Sequence, residues 1–144
     1  MSRSGFQSDL TVTDSPATED LAAIGANLSA FNDADVGSAD RLPLAVIVRS
    51  DDGALSAGIS GYTAWGWLYV QWLWVDESLR GQQMAGRMLA AAEDEARARG
   101  CHSAWIDTFS PVAEKAYRRH GYEVFGELPD FPIGRTRKFL KKRL

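Results

Sequence analysis

Residues 67–75, Trp-Leu-Tyr-Val-Gln-Trp-Leu-Trp-Val, lead through Asp76-Glu-Ser-Leu-Arg80 into Gly-Gln-Gln-Met-Ala-Gly-Arg87, and this junction constrains the chain more than any other segment. The first part carries aromatic and β-branched residues on both alternating faces, the composition of a strand covered on two sides. The second part opens a helix with small residues at Gly81, Ala85 and Gly86. A helix start offers unpaired amide N–H groups and the positive end of the dipole. Small side chains let a phosphate approach those amides closely. Arg80 and Arg87 add positive charge on each side of the turn. The glycine spacing is that of neither a Walker A loop nor a dinucleotide fingerprint. An ordinary strand-to-helix connection with an incidental arginine pair accounts for the same residues, so the segment alone leaves both readings open.

Periodicity and capping signals set the elements around this junction. Leu10–Thr13 reads as a short edge strand. Ser15-Pro16 reads as an N-cap with proline at the first helical position, and Glu19 and Asp20 suit the positive end of that helix. Leu21, Ile24 and Leu28 continue at helical spacing, and the pattern fades near Asn32 into a polar stretch up to Pro43 that reads as a loop, with or without a short helix. Leu44–Arg49 is a strand ending at Asp51-Asp52-Gly53, a hairpin signal, and Leu55–Tyr62 returns with Gly58 and Gly61 as bulge or close-contact positions. A helix over Gly81–Ala98 carries Met84, Met88, Leu89 and Ala92 on one stripe and stops at Gly100. A strand over His102–Thr108 follows. Ser110-Pro111 starts a further helix to about His120, stopped by Gly121, and Tyr122–Leu128 and Arg137–Leu140 close the chain as strands. The order β-α-β-β-β-α-β-α-β-β belongs to the α/β (α+β) class, a mixed sheet flanked by helices.

With 144 residues, 45% hydrophobic and 24% charged, the chain is expected to form one domain, residues 1–144. Its longest apolar stretch, Ala64–Val75, is too short to span a membrane and contains Gln71, and the opening Met-Ser-Arg-Ser-Gly-Phe has no apolar core of a secretory signal. The single cysteine, Cys101, forms no internal disulfide, so the expected location is cytoplasmic. Residues 1–79 hold 11 acids against 3 bases, a net of −8, and residues 80–144 hold 8 against 13, a net of +5. An acidic half attracts cations and a basic half polyanions, although two solvated surfaces of one domain give the same sums.

Four of the five tryptophans, Trp65, Trp67, Trp72 and Trp74, fall in one strand region without interleaved Lys or Arg. Core packing, a pocket wall or a contact between the copies of a homodimer fits them better than nucleic-acid stacking. His102 and His120 have no partner at ligand spacing, and no metal is expected. Cys101 reads as a structural thiol. Residues 135–143 carry six positive charges and no acid, and read as an edge strand protected by charge.

Arg80, Gln83 and Ala85 resemble the acyl-coenzyme A signature (Gln/Arg)-x-x-Gly-x-(Gly/Ala) of the GNAT superfamily of N-acetyltransferases, and Ala113-Glu-Lys-Ala-Tyr-Arg-Arg-His-Gly-Tyr122 resembles its Ala-x-x-x-Tyr-x-x-x-Gly-(Phe/Tyr) element. With the β-β-β order upstream, the resemblance spans about residues 9–140. It implies the acyl-CoA N-acyltransferase fold, with a mixed, largely antiparallel central sheet, and acetyl-CoA as cofactor. By position, Gly81 and the amides of Gln82, Gln83, Met84, Ala85, Gly86 and Arg87 would bind the pyrophosphate, with Arg80 and Arg87 as supporting cations. The backbone of Leu73, Trp74 and Val75 would pair with the pantetheine arm, and Tyr117 would protonate the departing thiolate. Two departures stand out. Gln83 replaces a glycine, and Ser110 stands where many relatives carry an asparagine, capping the helix but shortening any contact to the cofactor.

An ammonium acceptor must lose a proton before it attacks a thioester. The central strand offers Gln71 where such a site usually has a carboxylate, and an amide accepts no proton at neutral pH. Asp107 is the best carboxylate candidate, with Glu77 and Asp76 poorer ones; Asp107 serves a backbone turn equally well, and proton loss relayed by water needs no base. The expected activity is acetyl transfer to a primary amine of a small molecule or peptide by direct attack, with no nucleic acid and no membrane as partner. Two other readings remain: a non-catalytic acyl-CoA binding module, and a nucleic-acid binder using the basic tail.

Overall fold

The computed structural model of the protein describes residues 9–144, so the reading of the first six residues as lacking a secretory signal lies outside the described residues. The chain divides into two compact units, Met1–Ser38 and Ala39–Leu144. In the first, helix α1 (Thr18–Val36) carries Leu21, Ile24 and Leu28 at the expected spacing. It starts later than Ser15-Pro16. The Ser15 hydroxyl donates to Asp14 Oδ1, 3.0 Å away, and Ala17 occupies the N-cap instead. The helix also runs past Asn32 to Gly37, whose positive φ of 89° ends it. The strand expected over Leu10–Thr13 is absent: these residues make no ladder, and a strand exists only through its partner.

The second unit contains the strands β1 (Leu42–Arg49), β2 (Leu55–Ala64), β3 (Trp67–Val75), β4 (Ser103–Thr108), β5 (Glu123–Pro129) and β6 (Thr136–Arg143), with helices α2 (Met84–Ala98) and α3 (Pro111–Arg119). The sheet order is β1-β2-β3-β4-β6-β5, and only β3 and β4 are parallel. Met88, Leu89, Ala92 and Ala96 of α2 form one core with Leu44, Ile59, Leu68, Val70, Ile106 and Leu140 from the sheet. Among the described residues no helix is long and apolar enough to cross a membrane.

β3 departs from its expected two-sided burial for a local reason. Its pairing with β2 slips between Ser60 and Gly61, because Ser60 faces Trp72 while Gly61 faces Val70. Gln71 is therefore the extra residue of a β-bulge, which bends the strand and reverses its alternation. Leu68 and Val70 are buried before the bulge; Leu73 and Val75 pack on the core after it, leaving Trp72 and Trp74 on the other face at 68% and 47% exposure. A strand with one covered face thus spells aromatics at both parities. The tryptophans are accordingly not core residues. Trp65 is also exposed, and Trp67 and Trp105 are half-buried, Trp105 stacking on Tyr69 at 4.0 Å between centroids.

The basic tail is also not an edge strand. β6 lies between β4 and β5, and its cations meet acids: Arg137 with Asp107, Lys138 with Glu114, and Lys142 with Glu93. Glu93 is 2% exposed on α2, its carboxylate accepting from Lys142 Nζ at 2.7 Å and from the Tyr122 hydroxyl at 2.8 Å. These bonds tie α2 to β6 and to the residue just beyond α3.

Helix α2 begins with Gln83 as N-cap in the left-handed region, at φ 59° and ψ 29°. That conformation explains why a glycine suits this position: a side chain there carries about 1–2 kcal/mol of steric penalty. Gln83→Gly is expected to leave stability unchanged or raise it by up to about 1 kcal/mol, the strain relief exceeding the entropy glycine loses on folding. Gly61→Ala, in contrast, would drive a methyl group into the Tyr69 carbonyl of the facing strand. A loss of at least about 2 kcal/mol in urea unfolding is expected, because two backbones at a bulge have little room to part.

Candidate active site

β3 and β4 pair only from Trp67–Ser103 to Val70–Ile106, although β3 continues to Val75 and β4 to Thr108. Beyond the bulge the two strands part. The edge of β3 that faces β4 is left without a ladder partner from Gln71 onward, and α3 crosses the gap. Two cavities occupy the opening.

The first, about 500 Å³, is lined by Leu73, Trp74, Val75, Arg80, Ala85, Ser110, Val112, Ala113, Ala116 and Tyr117. At one end is the start of α2, where no side chain caps the helix and the first intrahelical bond is from the Arg87 amide to the Gln83 carbonyl. The amides of Met84, Ala85 and Gly86 thus have no partner within the helix. Arg80 bends back to donate from Nε to the Val75 carbonyl at 3.3 Å, which holds its guanidinium at the groove. Asp76 accepts from the Ser78 amide at 3.0 Å and steadies the short turn Glu77–Leu79 between strand and helix. At the other end stands Tyr117, 5% exposed. Burial and the neighbouring Asp107 charge push its phenol up to about 12, so it stays protonated throughout the physiological range.

The position of Tyr117 follows from how α3 begins and ends. Ser110 caps the start, its hydroxyl accepting from the Ala113 amide at 3.2 Å, with Pro111 at the first helical position. At the end, the Tyr122 amide donates to the Tyr117 carbonyl and the Gly121 amide to the Arg118 carbonyl, both at 3.0 Å, with Gly121 at φ 95°. This is a Schellman motif, and the packing of Tyr117 against Tyr122, 6.5 Å between ring centroids, is the apolar contact that accompanies it. The Tyr-x-x-x-Gly-Tyr spacing is thus a helix stop that fixes the phenol.

The second cavity, about 320 Å³, shares Leu73, Ser110, Ala113 and Tyr117 with the first and adds Gln71, Trp72, Ile106, Asp107, Thr108, Phe109 and Arg137. Asp107 holds the Arg137 Nη1 on Oδ2 at 2.9 Å and the Tyr69 hydroxyl on Oδ1 at 3.4 Å. The guanidinium of Arg137 lies 4.1 Å from the Phe131 ring centroid and 5.1 Å from that of Phe109.

Of the residues expected at the site, Leu73, Trp74, Val75, Arg80, Ala85, Ser110, Tyr117 and Asp107 line one or both cavities. Gly81, Gln82, Gln83, Met84, Gly86 and Arg87 do not. Met84 turns its side chain into the core, Gln82 donates to the Ser78 carbonyl at 3.4 Å, and Gly86 faces the His120 ring. Reasoning from sequence missed Arg137, Phe109, Thr108 and the α3 residues Val112 and Ala116. Ala113, Ala116 and Tyr117 share a helix face at i, i+3 and i+4, and that spacing was a usable signal. Arg137 reaches the cavity through the register of β6 on β4, where Phe139 faces Asp107, and no local pattern spells that pairing.

The opening therefore joins three features: the uncapped α2 amides with Arg80, the unpaired edge of β3, and the buried phenol of Tyr117. Residues 15–122 match the model of the Acetyltransferase (GNAT) family. An acetyltransferase of Agrobacterium fabrum is 45% identical over 121 residues, 84% of this chain and 88% of that protein. Blasticidin-S acetyltransferase of Streptomyces morookaense is 39% identical over 93 residues, 64% of this chain and 68% of that protein. A crystal structure from Agrobacterium tumefaciens, of a protein assigned to the acetyltransferases, superposes with a TM-score of 0.90 at 41% identity, covering 94% of this chain and 99% of that one. The match extends through both helices and the parted strands, and the chain belongs to the acetyltransferase (GNAT) family.

Proposed function

We propose that the whole chain, residues 1–144, acts as one domain that moves an acetyl group from acetyl-CoA to a primary amine of a small molecule or peptide by direct attack. The observation that carries this reading is the meeting of the two cavities at Tyr117, which we assign to the thioester-bearing arm (the larger) and to the acceptor (the smaller). Blasticidin-S acetyltransferase supports a small-molecule acceptor, since by its name its substrate is one. The single thiol, Cys101, lacks a second cysteine and agrees with cytoplasmic work.

The residues fit acetyl-CoA, which supplies an acetyl group activated as a thioester. The uncapped amides of Met84, Ala85 and Gly86, with Arg80, suit a diphosphate. The free edge of β3 at Leu73–Val75 suits the amides of a pantetheine arm, and an N–H on that edge would stabilise negative charge on the thioester oxygen. Ser110 lines the same cavity and would flank that arm, its hydroxyl already engaged as helix cap. Tyr117 would hold the proton that a departing thiolate needs. With a pKa of about 12 it gives the proton up only where negative charge develops beside it. Asp107 Oδ1, whose contact with Tyr69 is the looser of its two bonds, takes the proton released by the amine.

Tyr117→Phe is expected to lower kcat about 100-fold, the usual range for a lost general acid, while the Kd for CoA changes less than threefold. An unchanged kcat would remove Tyr117 from the chemistry. In the wild type, activity should not decline between pH 8 and pH 10 through loss of the Tyr117 proton, because a group titrating near 12 remains protonated below that value. Arg80→Ala should weaken CoA binding by about tenfold, the worth of one charge-assisted contact. Calorimetry with CoA reads that change directly, and unaltered affinity would move the diphosphate elsewhere.

A further inference from the structure

The two charged side chains that line the acceptor-side cavity, Asp107 and Arg137, face each other. They are unequally satisfied. Each oxygen of Asp107 has a partner, whereas Arg137 spends one donor, Nη1, on Asp107. Its Nε is buried without any partner, and no hydrogen bond from Nη2 exists among the described residues. A guanidinium offers five N–H donors in a planar fork that matches a carboxylate. Phe131 and Phe109 hold that plane in place, and β6, packed between β4 and β5, supplies a rigid base. The cavity is short of acceptors on one side only.

We propose that the acceptor carries a carboxylate beside its amine, an amino acid or a molecule with that grouping, and that Arg137 recognises this carboxylate. The inference rests on the acetyl-transfer reading and gives that acceptor a chemical class. A zwitterion is complementary to a facing acid–base pair: its ammonium meets Asp107 and its carboxylate meets Arg137. An amine without an anionic group engages Asp107 and leaves the spare donors of Arg137 unmet in a partly desolvated site, which is unfavourable. Arg137 is a specificity residue on this account. It binds the acceptor and transfers no proton.

The test uses the full chain and three pairs of amines that differ by one carboxylate: β-alanine and ethylamine, lysine and cadaverine, phenylalanine and phenethylamine. Thiol release from acetyl-CoA gives kcat/KM for each, and calorimetry in the presence of CoA gives each Kd. In at least one pair the carboxylate-bearing member should be favoured about tenfold or more, in line with a charge-assisted bidentate contact. Arg137→Gln should abolish the preference and Arg137→Lys should retain part of it, with acetyl-CoA affinity unaltered in both and folding checked by thermal melts. Equal binding and turnover within all three pairs, or a preference that survives Arg137→Gln, overturns the inference. Thiol release with equal members fails this inference and leaves acetyl transfer standing. A calorimetric preference that vanishes in Arg137→Gln, without thiol release from any amine, upholds the carboxylate site and fails the acetyl-transfer reading.

Discussion

The single extra residue in β3 organises the rest of the second unit. Opposite Gly61, Gln71 bulges out of the ladder, and the strand turns just where its parallel pairing with β4 stops at Val70–Ile106. A parallel pair is held by evenly spaced slanted bonds, and a strand that swings away breaks them all from that point on. The free edge, the two cavities and the lodging of α3 against the gap are consequences of that one break. Gly61 is part of the same device, since its missing side chain lets the Tyr69 carbonyl come close.

The two helix ends that face the opening are held by opposite means. The start of α2 is left chemically unsatisfied: Gln83 sits in a strained left-handed conformation, and no side chain meets the first amides. Unsatisfied donors at a helix start are a standing invitation to an anion. The end of α3 is satisfied as fully as a helix end can be, by a Schellman motif with Gly121 at its turn and Tyr117 packed on Tyr122. Behind both, Glu93 accepts from Tyr122 and Lys142, so one buried carboxylate joins α2 to Tyr122, the residue on which Tyr117 packs. Preorganisation of this kind keeps the start of α2 and the end of α3 at a fixed spacing, which a transfer reaction requires.

How much of this was legible in the sequence depends on the range of the interaction. Local signals read well: the Ser110-Pro111 cap, the Gly121 stop, the Asp51-Asp52-Gly53 turn and the stripe Met84, Met88, Leu89, Ala92 all lie where spacing put them. Gly61 was legible as a bulge or close-contact position, and it is both, but the one-sided burial of β3 was not, because aromatics at both parities look the same whether a strand has two covered faces or one face and a slip. The missing strand at Leu10–Thr13 and the internal place of β6 fail for a related reason, since pairing partners are non-local. At the site, motif residues Tyr117, Arg80 and Ala85 line the cavities, while Arg137 was legible only as part of a run of positive charge.

Bulk charge bears on an acceptor less directly than the lining of the cavity does. A surplus of acid over the first 79 residues suggests attraction of cations, yet fields from exposed charges are screened over roughly 10 Å at moderate salt. In the second cavity the charged side chains are one carboxylate and one guanidinium, 2.9 Å apart, which cancel at a distance. A molecule inside the cavity meets them separately, at contact range, where solvent screening is weakest. On the proposed reading, discrimination among amines follows from what accompanies the amine within a few ångströms, and the net charge of the chain bears on the approach.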